Sequence, residues 1–430
     1  MSSDRPEPEP TWTIRTAIAD ITPTRPQALF GYAARDEVAT EAAAPLEANI
    51  IILPAPSGNH VVVVALDTLF AGPDLVDDLH QALGSRDLPP VDDIIAIASH
   101  THTGASIDRS KPRLGAFDPD HLREVVERIV DAIATAFARP ARPVDTVVHS
   151  TAPCRRNIRR RRKAWGFDTA QRRIRRTIWT RPSTGAVRHE LDLVQLRGAD
   201  GNAAVLWSWP CHPVNVAGSG LFDPDFPGVV RDAIRGLFDD QELSVVYLPG
   251  FAGDLRADET SFTSNWKQAV LTPGIAHFAR NSEQRFWRLC GDITAAVESA
   301  ARAPTATSEF GPVEVARSSI SLDLVLANTG DTDRTLDLAA LRMPGFEIGL
   351  LSAEVCEPYY DLLPKGALYS GYYGDCFGYL PADQQIPEGG YEVDGFCELF
   401  SLEGRYAAPV QQIIVDAVAA LGLGQDTRSS

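Results

Sequence analysis

Two histidine-bearing segments sit at the ends of apolar runs, where metal-binding or proton-moving groups are well placed. Ser99-His100-Thr101-His102-Thr103-Gly104 directly follows the apolar stretch Asp93–Ala98, and Trp209-Pro210-Cys211-His212-Pro213-Val214-Asn215 ends the stretch Ala203–Trp209. Ligands of open α/β sheets bind just beyond the carboxyl ends of strands. In an extended chain His100 and His102 point to the same side, so one can hold a metal while the other faces a substrate. Two loop histidines with only local hydrogen bonds have the same sequence. His212 is clamped between two prolines, which suits a ligand whose orientation must be fixed, or a histidine packed at a turn. A Cys211–His212 nucleophile pair is disfavoured because adjacent strand residues face opposite ways. The G-x-S-x-G elbow of serine hydrolases is absent.

Three further segments carry chemical potential. Leu248-Pro249-Gly250-Phe251-Ala252-Gly253-Asp254 runs from a strand into a glycine-rich loop, where the Gly253 backbone and the Asp254 acid can approach a ligand. It lacks the lysine of a phosphate-binding loop, and a tight turn before a helix is the plainer alternative. In Pro387-Glu388-Gly389-Gly390-Tyr391-Glu392-Val393, two glycines free the backbone before Tyr391. Residues 155–176 hold ten arginines and one lysine. Eleven cations cannot all act at one site, so most of this run reads as a solvated basic face, with one or two arginines entering a pocket to bind an anionic group.

The elements that position these groups follow from hydrophobic patterning. Leu46–Leu53 and His60–Asp67 are β-branched runs separated by a turn, and Asp93–Ala98 reads as a strand buried on both faces, as in a mainly parallel sheet. Further strands are expected at 145–150, 191–196, 203–209, 244–248, from 313 and at 347–351. Helices are expected at 73–83, 118–138, 226–238, 283–301 and 409–421, with a short one from 353. The fold class is α/β, with mixed central β-sheets flanked by helices. Residues 1–10 and 425–430 read as tails around one domain of 11–424, whose parts 11–304 and 305–424 share a site.

Composition bounds the partners. The chain has 430 residues, 44% of them apolar, which is ordinary for a globular protein. A net charge of −17 argues against nucleic acid or an anionic membrane as partner, because both repel it. A small-molecule substrate, anionic if the arginines reach it, fits better, and a homo-oligomer is compatible with the sequence. Six singly spaced cysteines suit a reducing compartment, and the Pro/Glu-rich start lacks the layout of a secretory signal, so a cytoplasmic location is expected.

Taken in order and spacing, these segments resemble the neutral/alkaline, non-lysosomal ceramidase family of zinc amidases. The resemblance runs from Ala17–Ile21-Thr22-Pro23 and Gly31-Tyr32, through Ser99–Gly104, Cys211-His212-Pro213 and Asp225-Phe226-Pro227-Gly228, to Gly253-Asp254 and Gly389-Gly390-Tyr391-Glu392. It implies one Zn²⁺ per chain held by His100, His212, Glu354 and Tyr391, with Glu357 as the fallback carboxylate. It also implies His102 facing the substrate and Arg160, or the neighbouring Arg159, at the reacting carbonyl. Gly253, Asp254 and Arg159 are then expected beside the substrate. The chain departs from the family at Arg256, where a serine proposed as important for catalysis would sit, and it lacks the family's C-terminal immunoglobulin-like domain. The oxyanion is expected to be stabilised by His102 and an arginine, Arg160 or Arg256, with His102 or an unidentified carboxylate protonating the leaving group, and the implied activity is hydrolysis of an amide or ester by metal-activated water. Open alternatives are a phosphoesterase, lyase or isomerase using the same metal on a small anionic substrate, and a silent metal-binding scaffold.

Overall fold

Three sheets carry the fold, and each contains a single parallel pairing. The structure, a computed structural model, describes residues 12–424 apart from 34, 36, 169–172, 184, 219, 262–275, 328–332 and 407–408. The first sheet has the spatial order Val91–Ala98, His60–Leu66, Glu47–Pro54, Trp12–Asp20, Arg142–Val144. Only its first two strands run parallel; the rest are antiparallel. The second runs Ser244–Tyr247, Gly201–Ser208, Glu190–Gly198, Thr146–Pro153, Pro304–Glu309, parallel only between the first two. The third comprises Glu314–Ser321, Thr335–Met343, Phe346–Leu351 and Leu368–Ser370, parallel only between the last two.

Alternation along the strands builds the layers. Val62 and Val64 face the helices Leu75–Gly84 and Pro119–Ala138, whereas Val61 and Val63 face inward. The inward faces of the first two sheets meet in one core, joined by Leu341, Ile348 and Leu350 of the third. The outer face of the second sheet is covered by the helices Phe226–Leu237 and Glu283–Arg302. The first two sheets thus form the centre of a four-layer helix–sheet–sheet–helix stack. This corrects the mainly parallel sheet expected around Asp93–Ala98: burial on both faces comes from helices on one side and a second sheet on the other. The Pro119–Ala138 helix begins as its sequence predicts, with the Asp118 side chain accepting from the Asp120 N–H and Pro119 at its first turn.

The arginine run is built from strands, and the side chains of 166–177 lie outside the described residues. Asn157–Arg159 pairs with Leu255–Ala257, and Arg161–Asp168 pairs with Arg173–Thr180 as a hairpin. Arg160, at the break between Asn157–Arg159 and Arg161–Asp168, and Arg161, at the start of the second, are both buried, whereas Trp165 is exposed. Where a short helix was expected from 353, Glu354–Val355 is a strand paired with Tyr379–Leu380, and the helical turn comes later, at Tyr359–Leu362. Among the described residues, no helix is long and apolar enough to cross a membrane.

Candidate metal centre

Each sheet sends one potential ligand from the strand that takes part in its parallel pairing. His100 follows Val91–Ala98, His212 follows Gly201–Ser208, and Glu354 follows Phe346–Leu351. Parallel neighbours end at the same edge, so the loop after the partner strand lies beside each ligand. The loop after His60–Leu66 supplies the Leu69 carbonyl, 3.1 Å from His100 Nδ1. The loop after Ser244–Tyr247 supplies the Ala252 carbonyl, 2.7 Å from His212 Nδ1. A carbonyl only accepts, so each Nδ1 carries the proton and donates it, leaving each Nε2 with a lone pair.

Those two lone pairs converge on a carboxylate. Glu354 Oε2 lies 3.3 Å from His100 Nε2 and 3.2 Å from His212 Nε2, and all three residues are buried. Three acceptors therefore face one point, and Glu354 Oε2 has no hydrogen-bond donor among the described residues. Acceptors packed in this way are satisfied by a cation between them. Tetrahedral nitrogen and oxygen ligands about 2.0–2.1 Å from a zinc ion lie about 3.3 Å apart, so the donor set and its spacing fit Zn²⁺. Burial pushes the His212 pKa down to about 4, reinforced by the Arg160 charge, so its imidazole is neutral as a ligand must be. Burial opposes ionisation of Glu354; only a positive charge against it, on the imidazoles of His100 and His212 or on an ion between the three groups, holds its carboxyl below the ordinary range.

Local backbone geometry fixes these side chains. His100 sits at φ 67°, a left-handed conformation costly for a non-glycine residue, held by its N–H to the Thr68 carbonyl at 2.9 Å. The Tyr372 ring packs on the His100 ring at a centroid distance of 4.3 Å. On the His212 side, the Asp225 carboxylate accepts from the Asn215 and Val216 N–H groups at 2.7 and 3.1 Å, pinning the loop that Asn215 ties to the His212 carbonyl. Cys211 is buried, and that burial drives its thiol pKa well up, so it is no nucleophile.

His102 differs from the two other histidines. Its Nε2 lies 3.3 Å from His100 Nε2, and the ligand nitrogens of His100, His102 and His212 all fall within 4.8 Å of one another. Its Nδ1, however, is buried with no partner among the described residues, so no carbonyl locks its tautomer. The Arg35 guanidinium holds its backbone carbonyl at 2.7 Å, and the Tyr32 ring lies 4.8 Å from its own. Burial, then the neighbouring imidazoles, lower its pKa far below that of free histidine.

A cleft of about 320 Å³ opens beside these groups, lined among others by His102, His212, Arg160, Arg256, Tyr379 and Tyr391. Arg160 Nη2 donates to the Tyr379 hydroxyl at 2.9 Å and its Nε to Glu392 Oε1 at 2.9 Å, neither bond using Nη1. The Tyr379 hydroxyl also lies 3.4 Å from His212 Nε2. Tyr391 stands on the cleft wall with its ring 5.3 Å from that of Tyr379. Burial, then the Glu354 carboxylate, push its phenol up to about 12, so it ionises only if a nearby cation favours the phenolate.

Three expected substrate contacts have other surroundings. Gly253 packs against the Glu354 backbone, its N–H donating to the Val355 carbonyl at 2.8 Å. Asp254 is fully buried, accepting from the Glu357 N–H at 2.8 Å and from Gln385 at 2.9 Å. Arg159 bridges Asp254 and Glu357, which places Glu357 away from the histidine cluster in that ion pair. Tyr379 was missed by sequence reasoning because no motif surrounds it. It comes to the site through the parallel bridge that sets it opposite Glu354.

No protein-family model matches the chain, and no curated protein sequence does. Its fold does match solved structures. A neutral ceramidase from Pseudomonas aeruginosa and a ceramidase complexed with C2 each superpose with a TM-score of 0.70, covering 96% of this chain and 75% of theirs at 15% identity. The chain therefore shares the fold of neutral ceramidases.

Proposed function

We propose that this protein is a zinc-dependent hydrolase that cleaves an amide or ester bond of a small molecule. The observation that carries the reading is the buried convergence of His100 Nε2, His212 Nε2 and Glu354 Oε2, with no donor to Glu354 Oε2 among the described residues. These three would hold the ion, with Tyr391 the candidate fourth ligand. A Zn²⁺ bound there supplies Lewis acidity and lowers the pKa of water toward 7. His102, the histidine whose second nitrogen is unfixed, takes a proton at Nε2 and delivers it to the leaving group. Arg160 and Tyr379 both line the cleft, so Arg160 Nη1 and the Tyr379 hydroxyl, itself held by Arg160 Nη2, would serve as donors to the oxygen on which negative charge develops. No serine is needed at position 256. The six cysteines are all buried and unpaired, which supports a cytoplasmic setting.

Metal analysis by mass spectrometry of the purified protein should find about one zinc per chain. His100→Ala and His212→Ala should each lose it, and the wild type should hydrolyse members of an amide and ester panel. Wild-type protein without metal, or with metal and phosphoester but no acyl turnover, would sink the proposal.

Gly31→Ala tests the role of His102 separately from metal binding. Gly31 has φ +128°, and a Cβ there would lie 2.6 Å from His102 Nδ1. The variant is expected to lose about 10–100-fold in kcat while keeping its zinc, since proton transfer by a positioned side chain contributes about 10²–10⁴-fold. Unchanged kcat would show that His102 moves no proton.

A further inference from the structure

The cleft wall carries a cation that pairs with no acid among the described residues. Arg161 is paired with Glu392 and Glu388, Arg160 with Glu392, and Arg159 with Asp254 and Glu357. Arg256 lies on the strand Leu255–Ala257, whose flanking residues Leu255 and Ala257 are buried, and its side chain borders both the cleft and an adjoining small pocket walled by Phe278 and Glu259. No carboxylate of the described residues comes within ion-pair distance of Arg256, and the segment 262–275 that follows contains no Asp or Glu. Its one described partner is the face of the Phe278 ring, 4.9 Å from the guanidinium carbon. Burial and the Arg160 charge both press against its protonated form. A half-buried guanidinium is expensive to leave in this condition unless something else completes it.

We propose that Arg256 is a specificity residue that binds a carboxylate carried by the substrate, so that the hydrolase acts on acidic acyl compounds. The planar fork of one guanidinium matches one carboxylate with two parallel hydrogen bonds. Phe278 stacks on the guanidinium face and leaves its edge available. The protein's overall charge of −17 repels polyanions and leaves this point of positive potential for a small monoanion. The inference rests on the cleft beside the histidine cluster being the substrate site.

Calorimetry with two inert probes tests it on the purified, metal-containing protein. 4-Phenylbutyrate should bind at least about 10-fold more tightly than 4-phenylbutan-1-ol, as charge-assisted hydrogen bonds warrant. Arg256→Gln should bring the two within about threefold, and Arg256→Lys should retain part of the preference while showing that position 256 tolerates replacement. His100→Ala, which lacks the ion, should still prefer the carboxylate. Equal binding in wild type, or a preference that survives Arg256→Gln but vanishes in His100→Ala, overturns the proposal and assigns the carboxylate to the metal. A turnover arm compares N-succinylanilide with N-butyrylanilide. Equal efficiencies with no binding preference leave the hydrolase standing without this specificity. A binding preference without turnover leaves the subsite standing and removes the hydrolase.

Discussion

Glu354→Gln is expected to lower zinc affinity and turnover by more than about 100-fold, because loss of a contact that merely supports a ligand already costs about 10–100-fold. The same substitution is expected to stabilise the metal-free protein. In wild type without metal, Glu354 Oε2 faces the lone pairs of His100 Nε2 and His212 Nε2 at 3.3 and 3.2 Å. An amide of the same shape presents an NH₂ group that donates to one of those nitrogens, replacing repulsion by a hydrogen bond in a buried setting. The gain is about 1–3 kcal/mol, the usual cost of an unsatisfied buried polar group. Chelator competition measures the first effect, and urea unfolding in excess chelator the second. A Gln variant that keeps its zinc, or whose metal-free form unfolds more easily than wild type, would contradict the ligand assignment.

Gly253→Ala is expected to cost about 3 kcal/mol of stability, the upper end for forcing a methyl group into a packed interior. A Cβ at Gly253 would lie 2.4 Å from the Glu354 carbonyl oxygen and 2.9 Å from that of Val355. Both obstacles are backbone, so no side-chain rotation relieves them. The strand bearing Glu354 must move away from the loop whose Ala252 carbonyl orients His212, so zinc affinity should fall as well. Gly236→Ala is the control: in the helix Phe226–Leu237 its added methyl meets nothing within 4 Å, and removing a helical glycine is neutral or stabilising by up to about 1 kcal/mol. Denaturant midpoints of the two variants settle the comparison. Equal midpoints would show that the Gly253 contact yields freely.

What the sequence disclosed, and what it hid, divides along physical lines. Strands such as His60–Leu66 and helices such as Pro119–Ala138 were legible because their periodicity is local. The histidine segments were legible because proline and glycine punctuate the strand ends from which they emerge. The layering was not: residues buried on both faces of a strand look alike whether helices or another sheet cover them, so an antiparallel stack passed for a parallel sheet. The hairpin of Arg161–Asp168 with Arg173–Thr180 was masked by charge, since a run so rich in arginine has no apolar alternation to read. Glu354 and Tyr391 were named only through family resemblance. Tyr379 and the partnership of Arg160 with Glu392 arise from tertiary register, which no local pattern encodes.

The origin of the three ligands in three different sheets has a consequence for biosynthesis. His100, His212 and Glu354 are separated in the chain by more than a hundred residues at each step. A growing polypeptide can complete its first sheet and much of its second while offering the cell's metal pool only the histidine cluster, without the Glu354 carboxylate. Capture of the ion must wait until the third sheet has been synthesised and docked, and the captured ion then bridges units assembled at different times. An ion held there would tie these units together, so its removal should loosen the packing of the three sheets against one another.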